Sequence, residues 1–200
     1  MTTTDRSGIP TVYRSTRFRS RLEARWAAFF DLIRWSWVYE PFDAEGYIPD
    51  FLITGKRGLL VEVGPCVDLD EYKAKKAKPD RAVSSLGRDL LVVGVSPSAG
   101  FKDGHVAAGL LGEYFDEPED AAVFDWAAGL WGRCFECRSI GVCHATQSFV
   151  LRPCGHHQSG SFGDVLPHLE LEQLWRSAGN TVQWKGPESI GNILLRAGAK

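Results

Sequence analysis

Three short apolar stretches between residues 37 and 65 form the most regular pattern in the chain. They run from Trp37 to Pro41, from Tyr47 to Ile53 and from Leu59 to Val63. The first is aromatic, the second alternates after a glycine, and the third is almost continuously apolar, as expected of strands. The polar segment Thr54–Gly58 contains two glycines and separates the second stretch from the third. The pattern therefore predicts three strands, of which the last two form a hairpin joined by a tight turn.

Helical periodicity flanks these strands on both sides. Apolar residues recur at helical spacing over about residues 12–34 and predict an amphipathic helix. A second helix is predicted over Asp68–Leu86, with a break or a fresh start at Pro79. The apolar run Asp89–Val95 then predicts a buried strand. The order is thus helix, three strands, helix, strand, which indicates a mixed α/β fold.

Beyond Gly100 the pattern is weaker. Apolar segments over 105–114 and 121–132, separated by an acidic turn, are strands or short apolar segments. A helix is predicted over His168–Ala178, ending at Gly179-Asn180, and residues 181–185 form a short strand or docking segment. The expected organisation is a flexible leader (1–11), a core (12–100), a C-terminal extension (101–185) and a tail (186–200).

Two acidic residues interrupt the predicted strands. Asp50 follows Pro49 within an apolar stretch, and Glu62 lies inside the run L-L-V-E-V of the neighbouring strand. A carboxylate is costly to bury unless it is paired or binds a metal ion. Carboxylates on adjacent strands can converge on one divalent cation, and their hard oxygen atoms suit magnesium or manganese.

The motif P-D-F followed by V-E-V, behind a helix that carries an acid, resembles the PD-(D/E)XK nuclease superfamily. The chain is most similar to phage- and transposase-associated endonucleases with a Y-E-P…Y-x-P-D-F…V-E-V-K arrangement, over about residues 14–97. The resemblance implies a restriction-endonuclease-like core, in which the helix after the Glu strand crosses over to a fourth strand. It also implies an Mg²⁺- or Mn²⁺-dependent DNA endonuclease of phage or mobile-element origin.

The same resemblance implies roles for individual residues. Asp50, Glu62 and the carbonyl of Val63 would bind the metal ion, and Glu23 on the first helix would complete the cluster. The alternative for Glu23 is an ordinary surface ion pair with Arg19, one helical turn away.

One position departs from the family pattern. The lysine that assists the attacking water two residues after the Glu is Gly64 here. Lys73 or Lys76 of the second predicted helix could reach back as catalytic substitutes, and Lys56 in the hairpin turn is a poorer candidate. The alternative is a catalytically degenerate nuclease fold that binds DNA or protein without cutting.

A second constellation lies in the C-terminal extension. Cys134 and Cys137 form one pair, Cys154 and His157 form another, and sixteen residues separate the pairs. This spacing, over about residues 131–160, predicts a zinc-ribbon-like appendage with a structural Zn²⁺, because thiolates and imidazole favour zinc and four protein ligands leave no open position. Three further residues compete for places in the ligand set, namely Cys143, His144 and His156. Cys66 stands alone and is expected to be a packed thiol.

Basic residues are concentrated in the first predicted helix and again just after residue 72, although the formal net charge is only −2. Basic patches on a near-neutral protein favour a localised surface for a polyanion such as DNA, or else are solvated helix faces. The predicted DNA-binding residues of the first helix are Arg14, Arg17, Arg21 and Arg25, and those near the cysteines are Arg133, Arg138 and Arg152.

Neither a membrane span nor a signal peptide is predicted, because no apolar run approaches the ~20 residues that a span needs and the N-terminus lacks an apolar core. The expected location is cytoplasmic, which means the host cell interior for a phage protein. A homodimer or a protein partner is compatible with this reading. A third alternative is an interaction protein that uses its Trp-rich second half.

Overall fold

The computed structural model describes residues 8–44, 46–67, 69–75, 86–115, 123–146 and 149–183. Within these ranges it is a mixed α/β protein built on a nine-stranded sheet, with a separate two-stranded hairpin near the N-terminus. The strands are β1 (Thr11–Tyr13), β2 (Thr16–Phe18), β3 (Ser36–Tyr39), β4 (Phe51–Thr54), β5 (Leu59–Val63), β6 (Asp89–Val93), β7 (Gly100–Lys102), β8 (His105–Phe115), β9 (Val123–Arg133), β10 (Ile140–His144) and β11 (Asp164–Val165). The helices are α1 (Arg21–Leu32), α2 (Leu69–Lys75) and α3 (His168–Thr181).

The large sheet follows the order β10-β9-β8-β6-β5-β4-β3, with β7 beside β8 and β11 beside β9. β5 and β6 are parallel, and the other neighbours are antiparallel. All five residues of β6 are buried, which explains the apolar run after Asp89; Asp89 itself is buried as well. The long strands β8 and β9 lie beyond the predicted boundary at residue 100, yet they continue the same sheet.

The predicted helix over residues 12–34 is wrong in its first third. Residues 11–18 form the β1–β2 hairpin, and α1 begins only at Arg21. Arg14 and Ser15 have φ values of 46° and 65°, so the turn between the strands uses two left-handed residues, as two-residue hairpins do. Ser20 then caps α1, because its side chain accepts a hydrogen bond from the backbone N–H of Glu23.

Aromatic residues dominate the core between α1, α3 and the sheet. Trp26 of α1 lies 4.9 Å from Trp175 of α3 between ring centroids, and Phe29 lies 5.7 Å from Trp131 of β9. The buried indole N–H of Trp26 donates to the Gly94 carbonyl at 2.8 Å, so no polar atom of this ring is left unpaired.

The C-terminal helix is longer than predicted. It passes through Gly179-Asn180 and ends at Thr181, so these two residues do not terminate it, and residues 181–182 are not a strand. Gly179 gives room for the guanidinium of Arg25, since a Cβ there would lie 3.0 Å from its Cζ. None of the described helices is both long and apolar enough to cross a membrane. The leader up to residue 7, the acidic turn over 116–120, residues 184–185 and the tail lie outside the described residues.

Candidate functional site

The β4–β5 hairpin places the two motif acids side by side. Phe51 of β4 lies opposite Val61 of β5, so the next position along brings Asp50 opposite Glu62. Asp50 is only 3% exposed, and Glu62 is half-buried. The convergence of these two acids, expected from the pattern of the hairpin, is present.

Asp50 is held by one backbone donor and one cation. Its Oδ2 accepts a hydrogen bond from the N–H of Val63 at 2.7 Å, and its Oδ1 contacts the guanidinium of Arg19. Burial and the negative charge of Glu62 nevertheless raise the pKa of Asp50 from 3.8 to about 7, with a further contribution from Glu23. Burial and the neighbouring acids therefore outweigh the effects of Arg19 and of the Val63 N–H, which favour ionised Asp50.

Tyr47 orients the second acid. Its hydroxyl donates to Glu62 Oε2 at 2.7 Å, and its ring is buried. Burial and the adjacent Glu62 charge raise the pKa of Tyr47 above its usual value, so it remains a hydrogen-bond donor at neutral pH.

Glu23 lies near Asp50, whose pKa it helps to raise, but it also stabilises the start of α1. Its carboxylate accepts hydrogen bonds from the Ser20 hydroxyl at 2.9 Å and from the Arg19 N–H at 3.2 Å. Together with the bond from the Glu23 N–H to Ser20, this resembles a capping box. The Tyr39 hydroxyl donates to Glu23 as well, at 2.6 Å. Glu23 therefore has a structural role whether or not it binds a metal ion.

Arg19 is the functional candidate that the sequence analysis missed. Its side chain contacts Asp50, lies 3.0 Å from Glu40 and lies 3.9 Å from Glu23. Burial lowers the pKa of Arg19, but Asp50 and the other nearby groups outweigh burial and raise it. The sequence offered Arg19 only as a helical partner of Glu23, whereas the position just after β2 directs it to Asp50.

The predicted lysine substitutes that the structure describes do not contact the acids. Lys73 is exposed and contacts Asp70 at 2.9 Å, and Lys76 lies outside the described residues. Lys56 is exposed, and its aliphatic stem packs against Gly155. Gly64 is buried, and its N–H donates to the Val93 carbonyl at 2.9 Å. The described cation at Asp50 is Arg19.

The four predicted DNA-binding arginines do not form one surface of free cations. Arg17 and Arg21 are exposed, while Arg14 pairs with Asp31 at 3.2 Å. Arg25 lies 3.9 Å over the Trp175 ring and donates to its carbonyl, so Arg25 contributes to packing between α1 and α3.

A second cluster joins the β9–β10 turn to the loop that follows β10. Cys134, Cys137, Cys154 and His156 place their ligand atoms within 4.8 Å of one another. Among the described residues this is the only set of three or more candidate ligands that meets this spacing. The cluster could hold a metal ion such as zinc, since thiolates and imidazole favour it.

The predicted fourth ligand, His157, is replaced by its neighbour. His156 Nδ1 lies 3.3 Å from Cys134 Sγ, whereas His157 is exposed and accepts a hydrogen bond from the Ser159 N–H. His157 also forms an isolated bridge with Val150. Successive side chains of extended backbone point to opposite sides, so only one of the two histidines can face the cysteines.

The other competitors are also used elsewhere. Cys143 is buried in β10, where burial raises the pKa of its thiol to about 12, and His144 Nε2 lies 3.0 Å from the Asp125 carbonyl. Cys66 is buried and packs with Tyr72, as expected of a packed thiol.

Polar groups favour the thiolate form of Cys134. Burial raises its pKa, but the backbone N–H groups of Cys137 and Glu136 and the ring of His156 lower it to about 6. Burial raises the pKa of Cys154 to about 11, against the effect of the His156 N–H. A bound cation would favour deprotonation of both thiols.

Arg152 was predicted to contact phosphates, and the structure contradicts this. The side chain is fully buried and forms a network with two acids. Arg152 Nε donates to Asp89 at 2.7 Å, and its Nη2 lies 2.8 Å from Glu113. Arg57 contacts the same two acids, at 2.9 and 2.8 Å. Two arginines face two acids in this network, and Arg152 itself is fully buried, so Arg152 is a structural residue. Arg133 and Arg138, by contrast, are paired with Glu170 and Asp164 near the surface.

Comparisons of the chain with protein-family models, with curated proteins and with solved structures found no match.

Proposed function

We propose that the protein is a metal-dependent endonuclease that hydrolyses phosphodiester bonds in DNA, with a core of the PD-(D/E)XK type. One observation carries the proposal, which is the pair Asp50 and Glu62 on adjacent strands. Buried Asp50 has a pKa near 7, in part because Glu62 lies beside it. A divalent cation between the two carboxylates would relieve this repulsion.

The element order supports the same proposal. α1, the antiparallel strands β3, β4 and β5, α2, and the parallel neighbour β6 follow in the sequence that the family resemblance implies. The acids lie on β5 and just before β4.

The residues of the site have distinct tasks in this proposal. Asp50, Glu62 and the carbonyl of Val63 would hold Mg²⁺ or Mn²⁺, which polarises a phosphate and lowers the pKa of a bound water molecule. Val63 N–H and Tyr47 fix the two carboxylates in place through hydrogen bonds of 2.7 Å each. Arg19 would leave one Asp50 oxygen and pair with the phosphate, because guanidinium groups bind phosphate oxygens well.

Exposed arginines near Arg19 support a DNA substrate. Arg17 on β2 and Arg21 at the start of α1 flank Arg19 in the chain and are free to contact the phosphate backbone of DNA. In this proposal the protein acts in the cytoplasm, and the Cys/His cluster holds a structural zinc ion.

The test is cleavage of plasmid and of duplex, branched and single-stranded oligonucleotides with Mg²⁺ or Mn²⁺. We expect cleavage by the native chain and a loss of at least about a hundredfold in Asp50→Asn and Glu62→Gln, because each change removes a charged ligand. Glu172→Gln on the exposed face of α3 is the matched control and should cleave normally. Metal-dependent cleavage that survives both substitutions would refute the assigned site.

A second candidate function is DNA binding without hydrolysis. It is favoured by Gly64 in the lysine position together with the contact between Arg19 and Asp50, in which a fixed cation takes the place of a metal ion. Salt-dependent binding to DNA without cleavage of any substrate form would support this alternative. Gly64→Lys would then be the informative variant, since a cleaving variant would show that the metal site is intact.

A further inference from the structure

We infer that Cys134, Cys137, Cys154 and His156 form a closed Cys3His zinc site whose function is to fasten the loop Leu151–Gln158 onto the β4–β5 hairpin. This inference does not depend on hydrolysis by the protein. It rests on the donor set, on the hydrogen bonds around it and on the contacts between the loop and the hairpin.

Backbone hydrogen bonds shape the turn that carries Cys134 and Cys137. After β9 the chain folds back so that the Arg138 N–H donates to the Cys134 carbonyl at 3.1 Å and the Cys134 N–H donates to the Ser139 carbonyl at 2.9 Å. The Cys137 thiol also lies 2.9 Å from the Ser139 hydroxyl. These bonds fix both cysteines of the turn on the side of Cys154 and His156, as a zinc site requires.

The two ring nitrogens of His156 face different groups. Its Nδ1 faces Cys134 Sγ at 3.3 Å, while its Nε2 lies 3.8 Å from the Glu136 carboxylate. A ligating histidine commonly binds the metal with one ring nitrogen and is oriented by an acid at the other. Nδ1 is therefore the ligand atom, and Glu136 is the orienting group.

A buried glutamine, Gln158, joins the segment of Cys134 and Cys137 to the segment of Cys154 and His156. Gln158 is 1% exposed. Its side chain accepts from the Phe135 N–H at 2.9 Å, donates to the His156 carbonyl at 2.9 Å and lies 3.5 Å from Cys134 Sγ. Gln158 thus joins the two ligand segments through polar contacts, beside the apolar cluster that contains Cys134, Leu151 and Cys154.

The loop in turn contacts the hairpin that carries Asp50 and Glu62. The Arg57 N–H donates to the Pro153 carbonyl at 3.1 Å. Gly55 comes so close to the same residue that a Cβ on it would lie 2.5 Å from the Pro153 oxygen. Lys56 packs against Gly155, which stands between the ligands Cys154 and His156 in the sequence. A metal ion that fixes Cys154 and His156 therefore fixes the partner surface of the hairpin turn.

The first test is metal content. The full chain, purified without chelators, should contain about one zinc per molecule, because four protein ligands close a tetrahedral site. His156→Ala and Cys154→Ser should lose most of it, while His157→Ala and Cys143→Ser should retain it. A native chain without zinc after reconstitution, or a loss with His157→Ala in place of His156→Ala, would overturn the ligand assignment.

The second test is amide hydrogen exchange with and without zinc. Removal of zinc should decrease protection of the Arg57 amide by about tenfold or more, because its acceptor, the Pro153 carbonyl, directly precedes the ligand Cys154. The Trp35 amide, bonded to the Phe30 carbonyl at 2.8 Å in the α1 region, is the internal control and should change little. Unchanged exchange at Arg57, or an equal loss at Arg57 and Trp35, would contradict a local fastening role.

Discussion

Replacing Arg152 with methionine is expected to lower the free energy of unfolding by about 3–5 kcal/mol. The substitution leaves Asp89 and Glu113 buried, with Arg57 as the remaining described cation of the network. Arg57 is 37% exposed and cannot replace the fully buried guanidinium. The large effect arises because two buried acids lose a buried cation that both contact, and not because the intact ion network is itself strongly stabilising.

Urea denaturation of the native chain and of Arg152→Met measures this difference. Arg138→Met is the matched control, because Arg138 also pairs with an acid, Asp164, but its side chain is 58% exposed. Exposed pairs contribute about 0–1 kcal/mol, so the control should unfold almost like the native chain. Equal and small effects of the two substitutions would show that Arg152 is not needed to compensate the buried charges of Asp89 and Glu113.

A second large effect is expected on the pH dependence of stability. Without added magnesium or manganese, raising the pH from 5 to 7 should lower the free energy of unfolding, by up to about 1.4 kcal/mol per pH unit from Asp50. The folded-state pKa of Asp50 is about 7, against an ordinary value of 3.8. Between these values the folded chain holds a proton that the unfolded chain has released, so stability falls as pH rises.

The comparison is between the native chain and Asp50→Asn, which cannot titrate. Denaturation midpoints at pH 5, 6 and 7, measured without chelator so that zinc is kept, should diverge, with Asp50→Asn gaining relative stability as the pH rises. The charges that face Asp50 are Glu62, Glu23 and Arg19. Parallel pH profiles for the two proteins would mean that Asp50 ionises normally in the folded chain.

The sequence predicted the β4–β5 hairpin well because the signals for it are local. Alternation and the glycine turn identify β4 and β5, and the pairing of adjacent strands brings Asp50 and Glu62 together. A buried strand such as β6 is also visible, because four of its five residues are apolar and follow one another without interruption.

The parts that sequence reasoning missed depend on tertiary contacts or on backbone geometry. The β1–β2 hairpin needs left-handed φ angles at Arg14 and Ser15. Neither residue type favours this conformation, so the sequence did not indicate the turn. Arg19 contacts Asp50 across 31 positions of the chain, so helical spacing could not reveal it. Ser20 and Glu23 did carry a signal for the start of α1, namely the S-x-x-E pattern of a capping box.

The candidate metal ligands of the Cys/His cluster show the same division. Spacing identifies the cysteines, but the choice between His156 and His157 depends on which side of an extended segment faces the cluster. Arg152 looked like a phosphate contact because it is basic and lies near Cys154. Its acidic partners come from β6 and β8, which are distant in sequence.

Calorimetric titration of the zinc-loaded chain with Mn²⁺ at pH 7 tests most directly whether Asp50 and Glu62 bind a metal ion. We expect one Mn²⁺ site, with proton release because the cation favours ionised Asp50, and loss of that site in Asp50→Asn and in Glu62→Gln. Glu172→Gln should bind as the native chain does. Absence of binding by the native chain, or equal binding by Asp50→Asn, would contradict a metal centre at Asp50 and Glu62.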